Sequence, residues 1–164
     1  MPKAGFLPSS WRRHGLLALG AVFILVIDQL AKLWVETSLS VGDSSSAIGP
    51  LTIVRVNNQY GVWGLRGPQA LWLFVSFVAI AVMFFLYSRE FFSSHRRAAL
   101  ALGLILGGTV GNLIDRLSSG YVTDFIQVHL WGDVYWPAFN IADMAIVIGA
   151  CLAVYTLLLS RKPT

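Results

Sequence analysis

Long apolar stretches separated by polar segments dominate the pattern of residues along the chain. Four of them approach the roughly 20 residues that a helix needs to cross the hydrocarbon of a bilayer: 16–35, 71–87, 98–117 and 141–159. The second, LWLFVSFVAIAVMFFLY, carries no charged residue. The pattern therefore predicts an all-α membrane protein with four transmembrane helices, built as a single integral membrane domain over residues 1–164.

The first apolar stretch begins like a secretory signal, because Arg12 and Arg13 precede it. A cleavable signal ends at a site of small residues, whereas this stretch continues through VIDQLAKLW. The pattern therefore indicates a retained membrane span.

Two longer segments, 37–70 and 118–139, connect the predicted spans. The first contains LTIVRV, whose alternation and β-branched residues are typical of a strand, after the turn-rich SVGDSSSAIGP. The second, YVTDFIQVHLWGDVYWPAF, is also strand-like, and its Trp131, Tyr135 and Trp136 suit a membrane–water interface. We predict a small β-structured periplasmic cap that rests on the outer leaflet.

The composition supports a membrane protein and limits the other classes. Hydrophobic residues make up 56% of the chain and charged residues 12%, whereas soluble domains carry about 25% charged residues. The net charge is +4, but the basic residues form no patch, so no nucleic-acid partner is predicted. Because Cys151 is the single cysteine, an intramolecular disulfide is impossible.

The distribution of Lys and Arg predicts the orientation. Arg55, Arg66 and Arg116 lie on one side of the predicted spans. Most of the twelve Lys and Arg residues flank the opposite helix ends: Lys3, Arg12, Arg13, Arg89, Arg96, Arg97, Arg161 and Lys162. By the positive-inside rule both termini and the loop 88–97 are cytoplasmic, so both longer segments face outward.

Asp28 and Lys32 are ionisable residues inside the first span, four positions apart on one helix face. Such residues are expensive in a membrane and often functional. The pair either neutralises itself and anchors the helix near its outer end, or supports a nearby active site.

The third span ends in GGTVGNLIDRLSSG, the most informative stretch of the chain. Gly107 and Gly111 have the small-xxx-small spacing that lets membrane helices approach closely. Asn112, Asp115 and Arg116 then make one face polar where the helix should leave the membrane. Asp115 and Arg116 either cap the helix end as an ion pair or belong to a site, whereas Asn112 lies a turn deeper with no local use.

Three further polar residues lie near the outer ends of the third and fourth spans. In a strand, Asp124 would lie between apolar neighbours, although a solvated loop carboxylate is the alternative. Asn140 and Asp143 resemble a helix N-cap followed by an acidic first-turn residue. Capping does not exclude chemistry, because the first turn would hold the carboxylate rigidly at the membrane surface.

The remaining chemistry favours a pair of carboxylates. His14, His95 and His129 are scattered, so no metal site is predicted, and no Ser–His or Ser–Lys pairing is evident. Two close carboxylates share a proton, so one can activate water while the other protonates the carbonyl oxygen of the substrate. Asp124 and Asp143 therefore suggest hydrolysis of the aspartyl-protease type. Amides that could orient the substrate or oppose oxyanion charge are Asn58, Asn112 and Asn140.

Two other functions remain open at this point. A small proton-coupled membrane transporter would also use intramembrane Asp and Arg, but at mid-depth, whereas these polar residues cluster at one membrane face. In a non-catalytic scaffold, the same residues would only cap helices.

These motifs resemble those of the lipoprotein signal peptidases, the bacterial type II signal peptidases, over nearly the whole chain. DQLAK is similar to the first motif of that family, GGTVGNLIDRLSSGYVTDF to its Gly-Gly-x-x-Gly-Asn-x-x-Asp-Arg and Val-x-Asp-Phe motifs, and PAFNIAD to its Phe-Asn-x-Ala-Asp motif. The resemblance implies that Asp124 and Asp143 are the catalytic pair. It implies supporting or substrate-binding roles for Asn58, Asn112, Asp115, Arg116, Asn140, Asp28 and Lys32.

The resemblance also implies the substrate and the compartment. The substrate would be a prolipoprotein with a diacylglyceryl-modified Cys, cleaved just before that Cys at the outer leaflet of the bacterial inner membrane, with membrane lipid as a partner and no metal or cofactor. One motif departs from the family. Where the family has Asn-x-Gly-Ala-Ala-aromatic, this chain has NQYGVW, so Asn58 and Trp63 match while Tyr60 and Gly61 differ.

Overall fold

The computed structural model describes residues 9–46, 48–61, 65–89 and 95–160. Lys3, Trp63, Arg161 and Lys162, which entered the predictions above, lie outside these ranges. The elements of the described chain are α1 (Ser9–Ser38), β1 (Ser44–Ser46), β2 (Leu51–Asn58), α2 (Gln69–Ser88), α3 (Arg96–Ser118), β3 (Val122–Trp131), β4 (Val134–Phe139) and α4 (Ile141–Ser160).

Four helices of the described chain are long and apolar enough to cross a membrane. They confirm the predicted spans, and each extends past its apolar stretch at one or both ends. The first, for example, continues to Ser38 because the polar residues after position 35 still form helix. The chain is therefore a multi-pass membrane protein with a small sheet, as predicted.

The central helix is α3, which packs against α1, α2 and α4. Of its most apolar window 61% is buried, against 11% for α1 and α2. Small residues permit this close packing: a Cβ at Gly107 would lie 2.5 Å from the Ala21 carbonyl oxygen of α1. Gly149 of α4 approaches α3 in the same way, 2.7 Å from the Ala101 carbonyl oxygen. The close approach predicted from the Gly spacing is confirmed.

The strands form an antiparallel sheet in the order β1-β2-β3-β4. This sheet confirms the β-structured cap. The segment Ser44–Ser46, which reads as turn by composition, forms the edge strand β1 because its backbone pairs with β2. Trp131, Tyr135 and Trp136 are all exposed, as the prediction of an interfacial aromatic group requires.

A β-bulge interrupts the pairing of β2 with β3. Ile53 lies opposite Ile126 and Val56 opposite Asp124, so two residues of β2, Val54 and Arg55, face the single Phe125. Such a bulge bends the strand and shifts the side chains beyond it to the other face.

Candidate active site

Asn140 and Asp143 form a reciprocal cap at the start of α4. The Asn140 Oδ1 accepts the Asp143 backbone N–H at 2.9 Å, and the Asp143 Oδ2 accepts the Asn140 N–H at 3.3 Å. This arrangement confirms the predicted N-cap. Asp28 of α1 adds a third acceptor, because its Oδ1 binds the Ala142 N–H at 2.8 Å. The first turn of α4 is thereby fixed to α1.

Asp124 lies on β3 with only 2% of its surface exposed. Its two carboxylate oxygens accept hydrogen bonds from two amides, Asn58 Nδ2 at 2.8 Å and Asn140 Nδ2 at 2.7 Å. The prediction that Asp124 lies between apolar neighbours in a strand is confirmed, and the alternative of a solvated loop carboxylate is excluded. The apolar neighbours of Asp124 in the strand are the signal that predicted its burial.

Asn112 connects Asp143 to the same network. The Asn112 Nδ2 donates to Asp143 Oδ1 at 2.8 Å, while the Asn112 Oδ1 accepts from Asn140 Nδ2 at 3.2 Å and from Lys32 Nζ at 3.0 Å. Asn140 thus touches both carboxyl-bearing residues, and Asn112 orients the second. This use explains why an amide occurs at the deeper position of α3.

The surroundings of Asp124 favour its protonated form. Burial raises the pKa of Asp124 to about 7, and the nearby Asp143 carboxylate adds to the increase. The hydrogen bonds from Asn58 and Asn140 and the charge of Lys32 act in the opposite direction. Near neutral pH the Asp124 carboxyl can therefore hold a proton or release it, as acid–base chemistry requires.

Lys32 is the centre of a buried ionic cluster. Its Nζ lies 2.7 Å from Asp28 Oδ2 and 2.7 Å from Asp115 Oδ2, so the predicted Asp28–Lys32 pair is confirmed. Among the described residues, Asp115 forms its ion pair with Lys32, so the alternative in which Asp115 and Arg116 cap the helix end as an ion pair is not formed. The reason is geometric: adjacent helical residues point in different directions, whereas α1 and α3 bring Lys32 to Asp115.

Arg116 lies at the edge of the network. Its Nη1 donates to the Asn112 backbone carbonyl at 3.2 Å, and its positive charge interacts with the carboxylates of Asp143 and Asp124. The Arg116 carbonyl in turn accepts from Gln69 Nε2 at 2.7 Å, which ties the start of α2 to the end of α3.

The loop after β2 carries the departure from the family motif. The Asn58 Oδ1 accepts the Tyr60 backbone N–H at 2.9 Å, which fixes the amide that faces Asp124. A Cβ at Gly61 would overlap the indole ring of Trp72. Gly61 therefore leaves the space that the ring of Trp72 of α2 fills. Arg66 lies 5.7 Å from the centre of the Tyr60 ring, a distance typical of a cation–π contact.

Sequence reasoning missed two side-chain contacts. The Gln29 Nε2 donates to Asp115 Oδ1 at 2.8 Å, and the Thr123 Oγ1 donates to Glu36 Oε1. Gln29 lies in DQLAK, next to Asp28, so its position on α1 was a usable signal. The Glu36–Thr123 contact joins residues far apart in the chain, and no local pattern predicts it.

A cavity of about 300 Å³ opens beside the ionic cluster, between α1, α3 and the start of β3. Its polar lining includes Gln29, Lys32, Glu36 and Asp115, and Leu30 and Leu33 line its apolar side. Within the described ranges, no three His, Cys, Asp or Glu side chains are grouped so that they could hold a metal ion.

Comparison with known proteins assigns the chain to a family. Residues 20–159 match the family model for signal peptidase (SPase) II. A lipoprotein signal peptidase of Ralstonia nicotianae is 37% identical over 147 residues, covering 86% of this chain and 84% of the relative. One of Shewanella piezotolerans is 35% identical over 162 residues, covering 95% and 94%.

The fold agrees with that assignment. A bacterial membrane enzyme solved by the in meso method at 2.3 Å resolution superposes with a TM-score of 0.78 and 29% identity, over 92% of this chain and 93% of the other. A second such structure, at 1.9 Å, gives 0.74 and 30% over 88% and 93%. The chain therefore belongs to the signal peptidase II family and is a peptidase that spans the membrane.

Proposed function

We propose that this peptidase is an aspartyl endopeptidase that removes the signal peptide from diacylglyceryl-modified prolipoproteins by cleaving before the lipidated Cys. The observation that carries the proposal is the Asn140 amide, which touches Asp124 directly and caps the turn that bears Asp143. Membership in a peptidase family favours this reading over the proton-coupled transporter and the non-catalytic scaffold.

Asp124 and Asp143 act as a pair that holds one proton. The ionised carboxylate takes a proton from water as the water oxygen attacks the scissile carbonyl carbon, and the protonated carboxyl donates to the carbonyl oxygen. Collapse of the tetrahedral intermediate breaks the C–N bond. The carboxyl that took the proton from water gives it to the leaving amine, and the other carboxylate takes a hydroxyl proton from the intermediate, so the pair again holds one proton. Burial of Asp124 supports this scheme, because it favours one shared proton over two charges.

Three asparagine amides fix the orientation of the Asp124 and Asp143 carboxyl groups. Asn58 and Asn140 each donate to one oxygen of Asp124, and Asn112 donates to Asp143. These donors fix the directions of the carboxyl groups before substrate binds, which is the main contribution of a prearranged polar site. The ionic cluster of Asp28, Lys32 and Asp115 links α1 to α3 beside the carboxyl pair. The positive charge of Arg116 partly offsets the negative charge of Asp124 and Asp143. No metal or cofactor enters the scheme.

The lipid of the substrate accounts for the place of the site. Asp143 lies in the first turn of α4 and Asn112 in the last third of α3, so the site is at one end of the helices that cross the membrane. We place it near the outer leaflet of the bacterial inner membrane, with both termini cytoplasmic and residues 1–164 forming one domain. The diacylglyceryl chains would remain among membrane lipids while the peptide reaches the carboxyl pair.

Replacement of either acid by its amide tests the mechanism. Asp124→Asn and Asp143→Asn should each lower prolipoprotein cleavage by at least about 10³-fold, because neither variant can transfer a proton at that position. The assay is cleavage of a diacylglyceryl-modified precursor in micelles, with folding checked by thermal melting.

The matched control is Asp133→Asn, an exposed acid in the turn between β3 and β4, which should cleave at the parental rate. Substantial cleavage by a folded Asp124→Asn or Asp143→Asn protein would overturn the mechanism. Activity should persist in EDTA, and its loss would require a metal in the scheme.

A further inference from the structure

We propose that Arg55 is a positioning residue for Asp124: it fixes the bulge of β2 against the end of α1, and the bulge brings Asn58 onto the face of β3 that carries Asp124. The inference rests on the catalytic role proposed for Asp124.

The register of the sheet shows what the bulge does. Beyond it, Val56 lies opposite Asp124, so the two side chains share one face. Asn58 follows two positions later on that face and donates to Asp124. Had the pairing of Ile53 with Ile126 continued without the bulge, Arg55 would oppose Asp124. A slip of one residue moves every side chain to the other face, so Asn58 would then point away from Asp124.

Arg55 is held on both its side chain and its backbone. Its Nη1 donates to the carbonyls of Glu36 and Leu39 at 2.8 Å each, at the end of α1, where carbonyls lack helical partners. Its backbone N–H donates to the Asp43 carbonyl at 3.1 Å, and its carbonyl accepts from Gly42 at 2.9 Å. Arg55, one of the two bulge residues, therefore also caps the end of α1.

The strand opposite the bulge is tied to the same helix. Thr123 points to the face opposite Asp124 because side chains alternate along a strand. Its Oγ1 donates to Glu36 Oε1, and its backbone N–H lies 3.4 Å from Asp115 Oδ2. Arg55 and Thr123 thus bind the same α1 residue, Glu36, from the two strands that carry Asn58 and Asp124. The end of α1 is the common support for the spacing of these two side chains.

Kinetics of Arg55 variants test the inference. Arg55→Ala should lower kcat by on the order of 10- to 100-fold with little change in KM, because small misplacements of reacting groups cost that much. The limb of the pH–rate profile that belongs to Asp124 should move to higher pH, because a weakened Asn58 hydrogen bond no longer lowers its pKa. Arg55→Lys, which keeps a cationic donor, should restore most of kcat.

A double-mutant cycle separates positioning from general destabilisation. If Arg55 acts through Asn58, then Arg55→Ala combined with Asn58→Ala should be within about twofold of Asn58→Ala alone. If the fold-losses in kcat of the two single variants multiply in the double variant, the inference is overturned. A parental kcat and pH profile in Arg55→Ala would overturn it as well. If Arg55→Ala does not fold, Arg55→Gln enters the same cycle and decides by the same criterion.

Two controls complete the design. Arg89→Ala removes an arginine that lies 4.3 Å from the Phe85 ring centre near the end of α2, and it should leave kcat and KM unchanged. Cleavage by Asp124→Asn would refute the proposed function itself. If Asp124→Asn is inactive while Arg55→Ala keeps the parental kcat and pH profile, only the positioning role of Arg55 is refuted.

Discussion

At the scale of single residues, Asn140 combines a helix cap with a hydrogen bond to Asp124, for which we propose a catalytic role, whereas sequence reasoning treats capping and chemistry as alternatives. Its side-chain oxygen caps α4 through the Asp143 N–H, and its side-chain nitrogen donates to Asp124 and Asn112. An asparagine suits both tasks because its amide carries an acceptor and two donors. An aspartate at this position would keep the cap but place a third carboxyl group beside the two acids.

The raised pKa of Asp124 predicts how stability depends on pH. With a folded pKa of about 7 against an ordinary value of 3.8, the protonated carboxyl stabilises the fold fully below the ordinary pKa. That contribution is lost as pH rises through about 7. Relative to Asp124→Asn, which cannot ionise, the parent should lose roughly 4 kcal/mol of unfolding free energy between about pH 4 and pH 8.

Thermal melting of both proteins in micelles across that pH range measures the effect. Asp133→Asn should follow the parental pH dependence, because Asp133 is exposed. Parallel curves for the parent and Asp124→Asn would show that Asp124 has no raised pKa in the folded protein.

At the scale of elements, the glycines of α3 set the distances between helices. Gly107 faces the Ala21 carbonyl and the Ile24 side chain of α1, and Gly108 faces the Ala142 carbonyl of α4. The lack of side chains at these two positions of α3 therefore sets how closely α1, which carries Asp28 and Lys32, and α4, which carries the Asn140 cap, approach α3.

Gly107→Ala should separate α1 from α3. The alanine Cβ would lie 2.5 Å from the Ala21 carbonyl oxygen and 3.0 Å from Ile24 Cβ. The Ala21 carbonyl belongs to the backbone of α1, so it cannot turn aside as a flexible side chain could. We expect a loss of roughly 2–3 kcal/mol in unfolding free energy, typical of overpacking.

Gly15→Ala is the matched control, because a Cβ there meets nothing within 4 Å. It should be neutral or slightly stabilising, since alanine favours helix by about 1 kcal/mol over glycine. Melting temperatures in one detergent compare the two variants, and equal melting would refute the close-contact reading of Gly107.

At the scale of the whole molecule, local sequence patterns predicted the helices and strands but not the contacts between residues far apart in the chain. Apolar length indicated the spans, and alternation indicated β2. The two partners of Lys32 on α3 were not predicted, because Asn112 lies 80 positions after Lys32 and Asp115 lies further along the same helix. The bulge at Arg55 also escaped prediction, because register depends on pairing with β3 and not on the strand's own residues.

The orientation of the molecule stays a prediction that labelling can test. In a background where Cys151 is replaced by Ala, Ile48→Cys in the β1–β2 loop, at 89% exposure, should react with a membrane-impermeant maleimide in intact spheroplasts. Ser88→Cys at the end of α2 should react only after permeabilisation, because the positive-inside rule places it in the cytoplasm. The reverse pattern would invert the topology.

The Asp28–Lys32 pair has a consequence for synthesis of the protein. Lys32 finds Asp115 and Asn112 on α3, which leaves the ribosome long after α1. While α1 enters the bilayer alone, two acids lie one helical turn from Lys32, Asp28 within the apolar stretch and Glu36 just beyond it, and Asp28 is the one that pairs with Lys32 in the folded protein. We expect the pair to offset the charge of Lys32 within the apolar stretch until α3 is made, so the residues that we propose to support the finished site would also favour the first step of its assembly.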